Sequence, residues 1–423
     1  MSKIKLIACD LDGTLMAPDH LTVTERTKNA LLQAHNNGVK IAVATGRTLS
    51  VIYDVINQIP FADYVVYSNG AAICDLNTAK TVFSSYMSKK AVCSVVDFLE
   101  KYPVYYEVYS GGCQYAQADK AGYFENNGLP EEFLEKYLES VKFCDNLCEF
   151  AKSNPVEKIN LYYFNGKYLD EIRDYLFSLS DIDRTSPVGG DIEMTAKGVD
   201  KAYALEGLCG GLGISSDNVM AFGDADNDIK MLSYAGLGVA MGNADEKCKE
   251  SANYVTLSNA EDGVAAAVEK FVLGKKPRLL VSACLLGRNC KYNGTNNENK
   301  AVIALSEHFD IVPVCPECLA GLEIPREPNE ILNGRVVSKS GRDLTAEYND
   351  GAEKTLYFAE EANARFAVMK ERSPSCGKGF VYDGTFSGKT VKGNGIAAQR
   401  LIDGGVLVFG ETQIDKLLDE IEP

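Results

Sequence analysis

Histidine is scarce in this chain of 423 residues: His20, His35 and His308 are the only three, far apart in sequence. They offer no starting point for a His-based zinc cluster. No apolar run approaches the roughly 20 residues that a membrane-spanning helix needs. The first apolar stretch ends at Asp10, too early for a secretory signal. Positive charge is also short, with Lys+Arg 43 against Asp+Glu 59 and a net charge of −16, most of it carried before residue 273. An acidic surface repels polyphosphate backbones, which excludes a long nucleic acid as partner but lets a single phosphate reach local cations. Internal repeats and low-complexity tracts are absent. Thirteen cysteines without an export signal argue against a disulfide framework. The expectation is a cytoplasmic protein with small-molecule partners and no membrane partner. The oligomeric state is not legible in the sequence.

The remaining composition, 46% hydrophobic and 24% charged, is that of a globular chain. Its length allows on the order of two to four domains. Strand-like and helix-like segments alternate at the start, with strands expected over residues 4–10, 40–44 and 64–68. This rhythm predicts a parallel sheet with right-handed crossovers. From residue 83 to 183 the rhythm changes to short strands (104–109, 159–163) among helical stretches (89–101, 134–142, 169–179), as in an inserted α+β cap. Strand–helix alternation resumes over residues 201–241. Residues 273–278 form a short cationic linker with Gly274 and Pro277. A second βα series follows, with strands at 279–283, 311–314, 366–369 and 406–409. The expected fold class is therefore α/β: a core over 1–82 and 184–272, a cap over 83–183, and a separate parallel-sheet domain over 279–423.

Chemistry-bearing residues stand where strands end. Asp10 and Asp12 close the first strand, and side chains at i and i+2 point to one side. Open α/β sheets place ligands at those carboxyl ends. One carboxylate can attack phosphorus, the other can shuttle a proton, and Gly13 lets the chain turn beside them. Thr45, followed by Gly46 and Arg47, can donate to a phosphoryl oxygen. Lys201 opens a later helix and can offset charge on phosphate and nucleophile. Asp224 and Asp228, in Gly223-Asp-Ala-Asp-Asn-Asp228, offer hard oxygens suited to Mg²⁺. That last string is no calcium loop, because Ile229 stands where Gly is required and Ala235 where Glu is required.

These strings resemble the haloacid dehalogenase superfamily, in particular its Cof-type capped phosphatases. The likeness runs through Asp10-Leu-Asp-Gly-Thr-Leu15, Ala44-Thr-Gly-Arg47, Ser68-Asn-Gly70, Lys197-Gly-Val-Asp-Lys201 and Gly223–Asp228. It implies a Rossmann-like core, with Asp10 as nucleophile and Asp12 as general acid/base. It further implies phosphate binding by Thr45, Gly46, Lys201 and Asn227, and Mg²⁺ held by Asp10, Asp12, Asp224 and Asp228. Ala202 departs from the usual Gly after the lysine. The cap, which selects substrate in this family, carries no legible motif.

In the last third, Cys284, Cys315 and Cys376 each follow an expected strand, which would bring three thiols towards one point. Cys315 and Cys318 also have a spacing that suits zinc, and buried thiols without a ligand are the plainer reading. Residues 278–411 resemble the thiouracil desulfidase-like family. The resemblance rests on Val281-Ser-Ala-Cys-Leu-Leu-Gly287, Val312-Pro-Val-Cys-Pro-Glu317, Arg372-Ser-Pro-Ser-Cys-Gly377 and Tyr382-Asp-Gly-Thr-Phe-Ser-Gly388. It implies a [4Fe-4S] cluster on Cys284, Cys315 and Cys376, with Glu317 as base for water attack on a thiocarbonyl carbon and Ser373 as proton relay. Cys290 and Cys318 fall outside that trio. Arg326, Lys370 and Arg372 are candidates for anchoring a phosphate or pyrimidine carbonyl.

Three functions are compatible with the pairing. The first is a bifunctional enzyme for thiolated pyrimidine nucleotides such as 4-thiouridine monophosphate, yielding UMP plus sulfide and then uridine. The second is two fused enzymes, the phosphatase serving an unrelated sugar or cofactor phosphate. The third is a phosphatase joined to a non-catalytic iron–sulfur or zinc sensing module.

Overall fold

The computed structural model describes residues 3–123, 139–162, 167–185 and 191–420. The chain divides into two compact units, Met1–Gly274 and Lys275–Pro423.

In the first unit, β1 (Leu6–Cys9), β2 (Lys40–Ala44) and β3 (Tyr64–Tyr67) run parallel, continued by the antiparallel β4 (Ala72–Asp75) and β5 (Lys80–Ser84). The cap follows, built on β6 (Tyr105–Ser110), β7 (Cys113–Gln117), β8 (Lys142–Cys144), β9 (Lys158–Tyr162), β10 (Ile182–Thr185) and β11 (Ile192–Ala196). The core is completed by β12 (Val219–Gly223), β13 (Leu237–Ala240) and β14 (Tyr254–Val255), giving the order β14-β13-β12-β1-β2-β3-β4-β5. Strands such as Leu-Ile-Ala-Cys in β1 are buried throughout, as a parallel sheet covered on both faces demands. Because β12, β1 and β2 run parallel, their carboxyl ends share one edge, and that edge carries Asp224, Asp10 and Thr45.

The cap sheet has the order β10-β11-β9-β6-β7-β8. Here the structure differs from the expected boundary: β10 and β11 pair within the cap sheet, so residues 184–185 and 192–196 belong to it, and the next core element is the helix Lys201–Leu212. Polar residues such as Asp191 and Glu193 hid this strand from periodicity. The expected helix over 134–142 lies mostly outside the described residues, and Lys142 begins a strand. Helix Lys201–Leu212 is capped by Asp200, whose side chain accepts from Tyr203 N–H at 2.8 Å, and stops at Gly213 with φ 66°.

The second unit holds β15 (Arg278–Ser282), β16 (Asp310–Val314), β19 (Phe366–Met369) and β22 (Leu407–Gly410) in the parallel order β16-β15-β19-β22. Two hairpins, β17 (Asn329–Leu332) with β18 (Arg335–Ser338) and β20 (Phe380–Tyr382) with β21 (Thr390–Lys392), are additions the βα rhythm did not show. Alternate strand residues face opposite ways. Leu280 and Ala367 pack with Leu356, Ala359 and Leu401 of two helices, while Leu279, Val281 and Val368 pack with Val302, Leu305 and Leu417. Helices therefore cover both faces, and ligands are expected at the carboxyl ends. Among the described residues, no helix is long and apolar enough to cross a membrane.

Candidate active sites

Asp10 is the first residue beyond β1, and its backbone N–H bonds Phe222 O at 3.0 Å, tying it to the end of β12. Its carboxylate accepts from Lys201 Nζ at 2.5 Å, and the same ammonium reaches Asp228 Oδ1 at 2.8 Å. Asp228 is fully buried, and its other oxygen accepts from the N–H groups of Asp224 and Ala225 at 3.1 and 3.2 Å. Thr14 Oγ1 donates to Asp224 Oδ1 at 2.7 Å. Asp10, Asp224 and Asp228 bring one ligand oxygen each within 4.8 Å of one another, the only such trio of metal-binding side chains among the described residues.

The electrostatics leave this trio short of positive charge. Burial, reinforced by Asp228, pushes Asp10 well above the usual carboxylate range, although Lys201 opposes it. Asp224 is pushed up to about 6, chiefly by burial, with the Thr14 hydroxyl acting the other way. Three clustered carboxylates beside one ammonium form a donor set that fits a hard divalent cation. Lys201 itself sits at a helix N-terminus, where a cation is locally unfavourable; its two carboxylate partners outweigh that cost. Gly13 is required here. It has φ +75°, and a Cβ would fall 2.3 Å from Asp224 Oδ2.

Asp12 is placed elsewhere. Its carboxylate, 39% exposed, is held by Arg47, whose Nε donates at 2.8 Å, and by His20 Nδ1 at 3.2 Å. Partial burial opposes its ionisation, but the Arg47 guanidinium and His20 outweigh it and hold the group well below the ordinary range. Its carboxylate therefore stands outside the trio of Asp10, Asp224 and Asp228, with which the sequence had grouped it as a fourth Mg²⁺ ligand. Thr45 is buried and accepts from Arg47 N–H at 3.0 Å. The carbonyl of Gly46 accepts from Lys158 Nζ at 2.7 Å, and Asn227 lies half-buried in the Asp226–Asp228 turn. A cavity of about 370 Å³ opens beside Arg47 and His20, lined also by Ser50, Asp54, Gln58 and Ser140. Asn243 was missed: its amide donates to Gly13 O at 2.8 Å and steadies the turn. Its position just past β13, on the ligand-bearing edge, was the available signal.

In the second unit Cys284 lies in the turn after β15, Cys315 directly follows β16, and Cys376 follows β19 by seven residues. Cys290, set aside in the sequence, lies between two of them and hydrogen-bonds both Cys284 and Cys315. That thiol lowers Cys284, and it holds Cys315 down at about 6. Cys318 is pushed up to about 12 by burial and then by Cys315, and Cys376 is raised by burial. Asn297 Nδ2 lies 3.6 Å from Cys284 Sγ. Ser375 Oγ, beside Cys376, is buried without a hydrogen-bond partner among the described residues. Thiolates sharing one zinc sit about 3.8 Å apart, given a Zn–S length near 2.3 Å. No three cysteines of this group come within 4.8 Å of one another.

The other candidates are engaged within the chain. Arg326 pairs with Glu317 through Nε at 2.8 Å and also reaches Cys290 O at 3.1 Å. It therefore clamps the proposed base and is not turned to an outside ligand. Tyr348, on the helix Thr345–Glu361, also hydrogen-bonds Glu317. Ser373 Oγ accepts from Ser375 and Cys376 N–H at 3.1 Å each, so it shapes the turn that presents Cys376. Lys370 is ion-paired with Glu411, while Arg372 is exposed, with φ 63°.

Residues 7–268 match the haloacid dehalogenase-like hydrolase family. The chain belongs to that family. Residues 279–413 match the 2-thiouracil desulfurase family. The enzyme is thus a haloacid dehalogenase-type phosphatase domain joined to a desulfurase-family domain. Over 64% of this hydrolase it is 32% identical to YcsE of Bacillus subtilis, a 5-amino-6-(5-phospho-D-ribitylamino)uracil phosphatase, covering 96% of that protein. YbbK of the same organism is 42% identical over 33% of the chain, with 99% of YbbK covered. A solved haloacid dehalogenase-like hydrolase from B. subtilis superposes with a TM-score of 0.57 at 28% identity, over 63% of this chain and 99% of its own.

Proposed function

We propose a bifunctional enzyme. The first unit would hydrolyse a small phosphate monoester, with Mg²⁺, through an aspartyl-phosphate on Asp10. The second would desulfurate a thiolated pyrimidine base, nucleoside or nucleotide without net electron transfer, using a [4Fe-4S] cluster on Cys284, Cys315 and Cys376. The observation that carries the first half is Lys201 bridging Asp10 and Asp228 with Asp224 beside them. Bound Mg²⁺ supplies the positive charge that keeps Asp10 ionised and offsets the phosphoryl charge. Lys201 orients the attacking oxygen, and the Thr45 hydroxyl donates to the phosphoryl group. A substrate phosphate beside Thr45 offers the Arg47 guanidinium another anion; Asp12, released from that pair and protonated from solvent, gives its proton to the leaving oxygen, and its carboxylate then takes a proton from the water that opens the aspartyl-phosphate. The name of YcsE joins a phosphate ester to a uracil ring, which accords with a pyrimidine-bearing substrate here.

For the second half, the support is the set of thiols that follow three adjacent strands, together with the match of residues 279–413 to the 2-thiouracil desulfurase family. A [4Fe-4S] cluster held by Cys284, Cys315 and Cys376 would supply soft Lewis acidity suited to a thiocarbonyl group. Glu317 deprotonates the attacking water, and Arg326 fixes its carboxylate. The competing reading is a non-catalytic module, favoured by the engagement of Arg326 and Ser373 within the chain.

Anaerobic purification with iron and sulfide quantification, then incubation with 4-thiouridine monophosphate, tests both halves. About four irons per chain, loss of the thiocarbonyl absorbance and release of phosphate are expected. An iron-free preparation holding stoichiometric zinc would overturn the desulfuration half alone.

A pH dependence follows from Asp224. Its folded pKa, about 6, lies above the ordinary 3.8, so in the metal-free protein it binds a proton more tightly than the unfolded chain does. That contribution is full below pH 4 and is lost as pH rises through 6. Mg²⁺ needs the deprotonated form. Saturating Mg²⁺ should therefore raise the melting temperature more at pH 7.5 than at pH 5, read by thermal denaturation with and without the ion. An equal increment at both pH values would contradict this assignment.

A further inference from the structure

Residues 17–22 form a tight turn between the Asp10 loop and the helix Glu25–Asn36. Ala17 N–H donates to Thr22 O at 2.8 Å, and His20 N–H donates back to Ala17 O at 3.0 Å. Asp19 Oδ1 accepts from the N–H groups of Leu21 and Thr22, at 2.9 Å each. Within this turn His20 takes φ 57°, in the left-handed region. Glycine, and less readily asparagine, enters that region, whereas other residues do so at a steric cost. Such a conformation persists where surrounding contacts over-determine it. Here the side chain supplies one of them. His20 Nδ1 lies 3.2 Å from Asp12 Oδ1. Facing an ionised carboxylate, that nitrogen carries the hydrogen and donates it.

The two groups that hold Asp12 come from separate loops and hold it differently. Arg47 bonds both oxygens, with Nε on Oδ2 at 2.8 Å and a terminal nitrogen on Oδ1. It also belongs to the phosphate-binding turn, where its N–H donates to Thr45 Oγ1 at 3.0 Å and its carbonyl accepts from Ser68 N–H at 3.0 Å. A phosphoryl group at that turn competes with Asp12 for the guanidinium, which suits paired phosphate oxygens. His20 bonds Oδ1 from the other loop. When Arg47 turns to the phosphoryl group, Oδ2 is freed from the guanidinium while the bond from His20 to Oδ1 stays. Both side chains line the cavity of about 370 Å³ beside them. We propose that His20 is the positioning residue for the general acid/base of the phosphatase, keeping Asp12 Oδ1 anchored after Arg47 leaves so that Oδ2 faces the leaving oxygen. A carboxyl group without that anchor rotates about its side-chain bonds, and few of its orientations reach the ester oxygen.

This inference rests on Asp12 as general acid/base. A proton donor matters most for a poor leaving group such as an alkoxide, and little for p-nitrophenolate. The experiment measures the ratio of kcat/KM for ribitol 5-phosphate to that for p-nitrophenyl phosphate, with Mg²⁺. It is read in the wild type, His20→Gly, His20→Asn and Asp12→Asn. Glycine suits the left-handed turn but removes the donor. Asparagine also tolerates that backbone, and its amide nitrogen stands as many bonds from the chain as the imidazole Nδ1. His20→Gly should lower the ratio by about tenfold or more, and His20→Asn should keep it within about threefold of the wild type. A role confined to shaping the turn would leave His20→Gly like the wild type. If Asp12→Asn lowers the ratio but His20→Gly does not, or if both His20 variants lower it equally, the positioning role is overturned and the general acid stands. A ratio unchanged in Asp12→Asn overturns the general acid and the inference together.

Discussion

Asp10→Asn should lower Mg²⁺-dependent turnover of p-nitrophenyl phosphate by about 10⁴-fold or more, the scale set by deleting other enzymatic nucleophiles. An amide cannot form the acyl-phosphate, and the other carboxylate on Lys201, Asp228, is fully buried with its second oxygen held by backbone N–H groups. The stability effect should run the opposite way. Asp10 is buried among like charges, and its charged form is disfavoured without metal. A neutral isostere removes that repulsion, so the metal-free variant should melt at or above the wild-type temperature. The stabilisation conferred by Mg²⁺ should shrink, because one ligand of the trio is gone. Activity retained within tenfold would reject covalent catalysis at this residue. Desulfuration by the second unit should be unaffected.

Glu317→Gln should reduce desulfuration of 4-thiouridine monophosphate by about 10²–10⁴-fold, the range expected for loss of a general base, while phosphate release continues. The substitution also leaves the Arg326 guanidinium, only 9% exposed along its side chain, facing an amide instead of a carboxylate. Breaking a buried pair costs about 3–5 kcal/mol, and the amide oxygen, which still accepts, should keep the loss towards the lower end. Iron content separates the two effects. A variant that keeps its iron and loses turnover supports the base. One that keeps both shows the second unit to be a non-catalytic module or to use another base.

Much of this was legible along the chain because strand ends carry their chemistry in short strings. Asp10, Thr45 and Asp224 each follow a run of buried apolar residues, and a parallel sheet aligns such ends on one edge. Lys201 was found through its motif alone, since a lysine opening a helix is ordinarily solvated. Strand β11, Ile-Glu-Met-Thr-Ala, was not read as a strand, because its polar residues break the apolar run that marks the core strands, and so its place in the cap sheet was not legible. The hairpins of the second unit were missed because their strands are three or four residues long.

Residue order alone determined the two α/β units, the aspartates and lysine of one site and the thiols of the other, because hydrophobic periodicity and strand-end placement are local properties. Only the tertiary structure decided which charges share a space. It set Asp12 against Arg47 and His20, locked Arg326 onto Glu317, and slipped Cys290 between Cys284 and Cys315. Such pairings join residues between 6 and 35 positions apart through turns whose directions no periodicity encodes, and they form because a buried charge or thiol must find a partner wherever the packed chain offers one.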